Sequence, residues 1–277
     1  MGESMLRRIV QLLLVAAVLA AAAPAAWAGA FTLPDGQFLG ALGVRYFNSY
    51  HYFDNEGTVT RGESNLLYRD ITPFLGIDVG VTDNFELNAF LPFRYQYVSD
   101  DFDETTTYAL GDFSAEGTFK FVGGNRGAMA VTLLAKLPMF YDPEEDLPPG
   151  DGQIDLESRL LAAVRASFFT FSINGGYRYR FEDPSDVWRY GGSIGFNYSI
   201  VSGAVGLDGY ASAKNQEDDA EWRDFTTGPD YALGLATLDL GVMFTENLGM
   251  MFLAQYTAYG RNAAYGGAYT LSLLYSF

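Results

Sequence analysis

The sequence predicts an all-β protein, a transmembrane antiparallel up-and-down β-barrel of about 12 strands, and three observations carry that prediction. The chain opens with the three-part layout of an export signal. Its later apolar residues alternate with polar ones instead of running in long blocks, and its connections alternate between short and long. A barrel of about 10 strands is the alternative, because the segment at 204–214 is short and weakly apolar for a wall strand.

Arg7 and Arg8 precede an apolar run over residues 9–23, and Ala26-Trp27-Ala28 supplies the small residues of a processing site. Residues 1–28 are therefore expected to be a signal peptide and residues 29–277 the mature barrel. Read as a membrane anchor, the run falls short of the ~20 apolar residues a spanning helix needs. Every later apolar stretch is interrupted within a few residues by Asp, Glu, Asn, Arg or Gly, so any membrane crossing must use strands. The 19 Tyr, 22 Phe and 31 Gly suit pleated, closely approaching backbones. With no cysteine, disulfides cannot hold an exported fold together. A closed, hydrogen-bonded wall supplies that cohesion instead.

Alternation at period two places strands near 37–51, 67–81, 85–99, 108–121, 128–141, 154–166, 169–181, 187–200, 204–214, 231–243, 248–260 and 266–277. In the segment 85–99, Phe85, Leu87, Ala89, Leu91, Phe93, Tyr95 and Tyr97 share one face, and Glu86, Asn88, Arg94 and Gln96 share the other. In the segment 169–181, Phe169, Phe171, Ile173, Tyr177, Tyr179 and Phe181 oppose Thr170, Ser172, Asn174, Arg178 and Arg180. A soluble sandwich would turn such faces into one core, whereas here nearly every strand has an apolar face opposite a charged one. Pro92 and Pro138 cannot donate to a closed ladder, so each is expected to mark a bulge or an early strand end.

Short connections at 82–84, 122–127, around Ser167, 202–203 and 245–247 alternate with long ones at 52–65, 100–107, 142–153, 182–186, 215–230 and 261–265. Short periplasmic turns and long external loops are the pattern of bacterial outer-membrane barrels. The long loops collect acid: Asp100, Asp101, Asp103 and Glu104, then Asp142, Glu144, Glu145, Asp146 and Asp151, then Glu217, Asp218, Asp219, Glu221 and Asp224. These read as a solvated rim, and none matches an EF-hand.

The formal charge of −17 argues against nucleic acid as a partner, since phosphate binding needs clustered Lys and Arg. His51 is the single histidine, placed beside Tyr50 and Tyr52 at a strand end with no serine-centred motif near it. That excludes a His/Cys metal cluster and gives no footing for general-base catalysis, so neither an enzyme nor a cofactor is expected.

The inward faces hold charges that mostly alternate in sign. Symmetric hairpins would set Arg94 near Asp112, Asp112 near Lys136, Lys136 near Arg159 or Glu157, and Glu157 near Arg178, with Glu116 on the same wall. These seven side chains are the expected lumen lining, either a selectivity filter or a structural network satisfying buried charge. Only about eight residues separate the expected cleavage site from the first strand, too few for an N-terminal plug domain.

The chain ends at Phe277 after alternating Tyr269, Leu271, Leu273 and Tyr275. This resembles the terminal strand that the barrel assembly machinery recognises. The stretches GVTDNFELNAFLPFRY (80–95), GDFSAEGTFKF (111–121) and LLAKLPMF (133–140) resemble the family named for the meta-pathway of phenol degradation, a set of outer-membrane proteins described as transporters. In that family a turn, a Glu-containing strand ending in proline, a Gly-Asp strand and a second proline-ended strand follow in this order. Pro-Thr-Gly often follows the second proline there, where this chain has Pro138-Met139-Phe140.

Together these readings anticipate a Gram-negative outer-membrane channel or transporter for small solutes, including small organic or aromatic compounds. The expected surroundings are outer-membrane lipid and lipopolysaccharide. A structural or assembly barrel without transport is the alternative. N-terminal sequencing of the membrane form is expected to read from Gly29; a form retaining Met1 would remove the signal peptide.

Overall fold

A wall in lipid must pair every backbone N–H and C=O within itself, and an alternating sequence does so only as a closed sheet. The structure, a computed structural model, describes residues 29–181, 185–214 and 227–277. Residues 1–28, expected to be a signal peptide, and the acids from Glu217 to Asp224 lie outside the described residues.

Thirteen strand segments form one antiparallel sheet. They are β1 (Phe38–Phe53), β2 (Val59–Arg61), β3 (Leu67–Thr82), β4 (Phe85–Ser99), β5 (Glu104–Leu110), β6 (Phe113–Gly123), β7 (Gly127–Leu137), β8 (Asp155–Ala166), β9 (Phe169–Arg180), β10 (Val187–Tyr198), β11 (Val201–Ser212), β12 (Thr227–Met243) and β13 (Leu248–Ser276). Sequence neighbours pair throughout, and β13 closes the ring on β1. Its residues 249–261 pair with β12 and residues 263–276 with β1, with Asn262 at φ 47° between the two arms. β13 thus fills two places in the wall. β5 and β6 share one place beside β4, and β2 stands off the wall against the end of β1, leaving twelve wall positions.

The ten-strand alternative therefore falls. β11 is a full strand, paired along its length with β10 and β12 although its outward face is modest. The expected loop at 261–265 is a tight turn inside β13, because the positive φ of Asn262 reverses the chain there. Pro138 ends β7 at Leu137, as a residue without an N–H should. Pro92 acts differently from a bulge or an end. β4 runs on through it, and its neighbour breaks instead, at Gly111 and Asp112 between β5 and β6. The ladder from β4 stops at Phe90↔Ser114 and resumes at Phe93↔Leu110, so the missing donor faces the gap, and Gly111 N–H donates to Pro92 O at 3.0 Å.

Leu42, Leu75, Leu133, Ile173, Leu207 and Leu240 stand exposed on the outer face, while Asp70, Thr132, Glu157 and Thr170 are buried on the inner one. That inversion of a soluble core is a lipid-facing belt around a polar lumen. The seam is tied at its end by Phe277, whose N–H donates to Phe38 O at 3.0 Å and whose carbonyl accepts from Phe38 N–H at 2.9 Å. Their rings stack at 5.2 Å.

Ile173 is 68 % exposed in mid-strand β9. Ile173→Arg is expected to cost about 2–4 kcal/mol of stability in a bilayer, while Asn174→Arg on the opposite face is tolerated. Urea titration of the heat-modifiable band measures both; equal tolerance would mean the faces are reversed.

Candidate functional site

The inward faces divide the lumen into two unlike arcs. From β3 to β10 they carry Asp70, Arg94, Glu116, Lys136, Asp155, Glu157, Arg159, Arg178, Arg180 and Arg189. From β12 through β13 to β1 the facing surface is mostly uncharged, with Leu233, Leu235, Thr257, Ala264, Ala268 and Phe47 beside Gln255 and Arg45, around a cavity of about 270 Å³.

The charged arc is organised around buried carboxylates. Glu157 accepts from Arg178 Nε at 2.7 Å and Arg189 NH1 at 2.8 Å, and Arg159 Nε lies 2.8 Å away. Arg159 also meets Glu116 at 2.5 Å. Lys136 faces three acids: Asp151, Asp112 at 3.3 Å and Asp155 at 2.9 Å. Arg94 binds Asp70 through two nitrogens and reaches Tyr68 Oη at 2.9 Å. Burying a charge costs several kcal/mol unless a partner offsets it, which explains why each ion here is drawn to an opposite one.

All seven side chains singled out from the sequence, Arg94, Asp112, Glu116, Lys136, Glu157, Arg159 and Arg178, lie on this arc. The expected approach of Arg94 to Asp112 is replaced by its bond to Asp70. In the β3–β4 register Asp70 pairs with Gln96, so Arg94 lies diagonal to Asp70 on the same face. Asp112 sits in the gap between β5 and β6 rather than within a strand. Asp70, Asp155 and Arg189 escaped the sequence reading, and Arg180 was placed on the polar face of its strand but not among the expected lining. For Asp70 the signal was present, since folding the hairpin about residues 83–84 sets it beside Arg94.

The loop 142–153 was expected to be a solvated rim, and in part it is not. Asp142, Glu144, Glu145 and Asp146 are exposed, but Leu147, Pro149 and Gln153 are buried inside the barrel. The Pro149 carbonyl accepts from Arg94 NH1 at 3.0 Å, Tyr141 Oη donates to Asp112, and Gly152 N–H donates to Tyr141 Oη at 2.9 Å. A Cβ at Gly150 would collide with Asp112 and Tyr141, so glycine permits this close approach. Burial alone would raise the Asp151 carboxyl, but Lys136 outweighs it and holds Asp151 below the ordinary carboxylate range. Burial and the bond to Asp112 push the Tyr141 phenol up. The loop is latched into the lumen through Lys136, Asp112 and Arg94. By contrast Asp100 and Asp101 stay on the rim, where Asp100 caps Phe102 N–H and Asp103 N–H at 2.7 and 2.8 Å.

The opposite mouth is also narrowed. Residues 29–37, too few for a plug domain, nonetheless enter it. Ala30 packs on Ala128, Ala130, Leu161 and Ala163, whose small inward side chains leave room. Leu33 N–H donates to Glu86 Oε2 at 2.6 Å, Gly36 N–H to Gly80 O at 2.8 Å, and Arg165 lies 4.5 Å over the Phe31 ring. Beside the inner loop lies a cavity of about 290 Å³, bounded by Arg94, Lys136, Arg178, Arg180, Tyr210 and Leu235 among others. His51 stacks edge-on against Tyr265 at 6.3 Å on the rim. Among the described residues no group of three or more His, Asp or Glu is placed to hold a metal.

No family model and no curated protein matches this chain. Among solved structures it is similar to a COG4313 outer membrane channel from Pseudomonas putida F1, with TM-score 0.71 at 15 % identity, covering 92 % of this chain and 99 % of that one. It is also similar to the translocator domain of the autotransporter NalP from Neisseria meningitidis, with TM-score 0.53 at 12 % identity over 88 % and 90 % of the two chains. A third similar structure is the porin KdgM in complex with disordered oligogalacturonate, with TM-score 0.53 at 7 % identity over 86 % and 99 %. At these identities the likeness is one of fold, that of an outer-membrane β-barrel.

Lys136→Met leaves Asp112, Asp151 and Asp155 without their shared cation, a loss of about 3–5 kcal/mol in the latch. Because the chain has no cysteine of its own, Leu147→Cys reports on the loop alone. Labelling by a hydrophilic maleimide is expected to be slow in the parent and roughly a hundredfold or more faster beside Lys136→Met. Equal rates would mean the loop is held by something other than Lys136.

Proposed function

We propose that this barrel is a narrow, substrate-selective channel of the outer membrane for small solutes, small organic or aromatic compounds among them. The observation that carries the reading is a lumen narrowed from both ends yet not filled. A barrel kept only for structure gains by packing its interior, whereas here cavities of about 290 and 270 Å³ remain between the inner loop and the apolar arc. Twelve strands fit a bore between the side-chain-filled interior of about eight strands and the wide pore of 16 or more. Fold likeness to channels and porins supports the same reading, as does the resemblance of segments 80–95, 111–121 and 133–140 to outer-membrane transporters of the phenol meta-pathway family. Arg94, Asp112, Glu116, Lys136, Glu157, Arg159 and Arg178 would then line the path and impose a transverse field on what passes. Export by a cleaved signal, contact of the apolar belt with lipid and lipopolysaccharide, and recognition of the Phe277 strand by the barrel assembly machinery belong to the same proposal.

Reconstitution into a planar bilayer is expected to give stepwise conductance; silence at every voltage would favour a sealed structural barrel. Replacing Arg94 and Lys136 together by Ala leaves carboxylates unopposed, so reversal potentials under a salt gradient are expected to shift toward cation preference. An unchanged preference would place these residues outside the ion path.

A further inference from the structure

Along Asp155 and Glu157 the carboxylates are set back from the lumen and the arginines stand in front of them, whereas Glu116, 21 % exposed, is not recessed behind its partner Arg159 at 16 %. Glu157 and Asp155 have side chains 0 % exposed, while those of Arg159, Arg178 and Arg189 are 16–18 % exposed. Glu157 alone serves three guanidinium groups. The cavity of about 290 Å³ is bounded by four cations, Arg94, Lys136, Arg178 and Arg180, against two acids, Asp112 and Asp151. At short range the nearest charges dominate, so the cavity presents positive potential although the whole chain is strongly negative.

Arg180 differs from its neighbours. Its side chain is 6 % exposed, its approach to Asp155 is a long 3.9 Å, and its Nε has no hydrogen-bond acceptor among the described residues. A buried donor without an acceptor costs about 1–3 kcal/mol, so Arg180 is less fully compensated than its neighbours; Nε itself is shielded, and a solute meets Arg180 through its charge at the cavity wall. The cavity's other wall is apolar: Tyr231, Leu233 and Leu235, with Tyr210 at the edge, where its hydroxyl accepts from Arg189 at 3.0 Å. The volume stands at the lower limit of the ~300–1,000 Å³ typical of small-molecule sites, enough for one ring.

The geometry points to a subsite for a small organic monoanion, a carboxylate held by Arg180 and Arg178 whose flat apolar body lies against Tyr231, Leu233 and Leu235. This rests on the channel reading and names the class of solute within it. The two arcs each meet one end of such a molecule, which neither an inorganic ion nor a neutral hydrocarbon satisfies at both ends.

The test uses the full mature chain refolded in detergent and in planar bilayers, with benzoate, benzylamine and benzyl alcohol as probes. Calorimetry in detergent is expected to give saturable binding of benzoate and none of benzylamine. In bilayers, benzoate is expected to interrupt the current in a concentration-dependent way. Arg180→Gln is expected to weaken benzoate binding about tenfold or more, the loss of one charge-assisted pair. Leu235→Asp, which leaves the arginine network whole and brings a carboxylate to the facing wall, is expected to weaken it similarly and keeps the test sound if Arg180→Gln does not fold. Silence in the bilayer with benzoate binding intact would sink the channel reading and keep the subsite. Conductance with no benzoate binding, or with benzylamine bound as well, would overturn the subsite and keep the channel. Benzoate binding unchanged in both variants would also overturn it.

Discussion

Everything in this molecule depends on the requirement that a wall immersed in lipid leave no backbone polar group unpaired. The two arms of β13 and their seam with β1 meet that requirement by removing the sheet's edges. Where the wall does break, at Gly111 and Asp112, it breaks beside Pro92, the one residue of β4 that has no N–H to offer on that side. Closure also dictates which residues go where. With the outer face given over to Leu, Ile and Phe, every charge in a strand must point inward, and the lumen inherits a concentration of ions that no soluble core would accept.

Those ions settle by pairing, and the pairing has a direction. Short carboxylates of Asp155 and Glu157 stay near the wall, and long arginines reach over them toward the lumen. A network that balances its charge within itself can still present one sign to its surface, because the sign that projects farther is the one a solute meets first. Opposite this arc the chain places mostly Gly, Ala, Leu and Thr, with Arg45 and Asp239 as isolated charges, and these small side chains leave space. Asymmetry between the arcs, rather than bore alone, is what distinguishes this lumen from a simple water-filled pore.

Much of this was legible in the sequence because membrane barrels encode their faces at period two. The segment 85–99 is β4 to the residue, and the inward placement of Lys136, Glu157, Arg159 and Arg178 follows from alternation alone. Partners proved less legible than faces. Arg94 was assigned to Asp112 across one interface and bonds Asp70 across the other, a choice settled by diagonal offsets that alternation does not contain. Least legible was the inward fold of 138–153. Its acid suggested solvent, yet the Leu147-Pro148-Pro149-Gly150 run at its centre is apolar and has little reason to stand in water. Residues 29–37 were too short to suggest a plug, and they narrow the mouth only because Ala128, Ala130 and Ala163 leave room for Ala30.

Lys136 joins the two halves of this design. It is the cation shared by Asp112 and Asp155 of the barrel and Asp151 of the inner loop, and it also bounds the central cavity. The position of the loop and the electrostatics of the cavity are therefore coupled through one ammonium. An anion entering the cavity competes with Asp151 for Lys136, and each fraction of charge it draws away weakens the tie that holds Leu147 and Pro149 in the lumen. A cation in the same place competes with Lys136 for Asp151 instead, so the position of the loop and the charge of the cavity are linked through this one ion pair whichever sign approaches it.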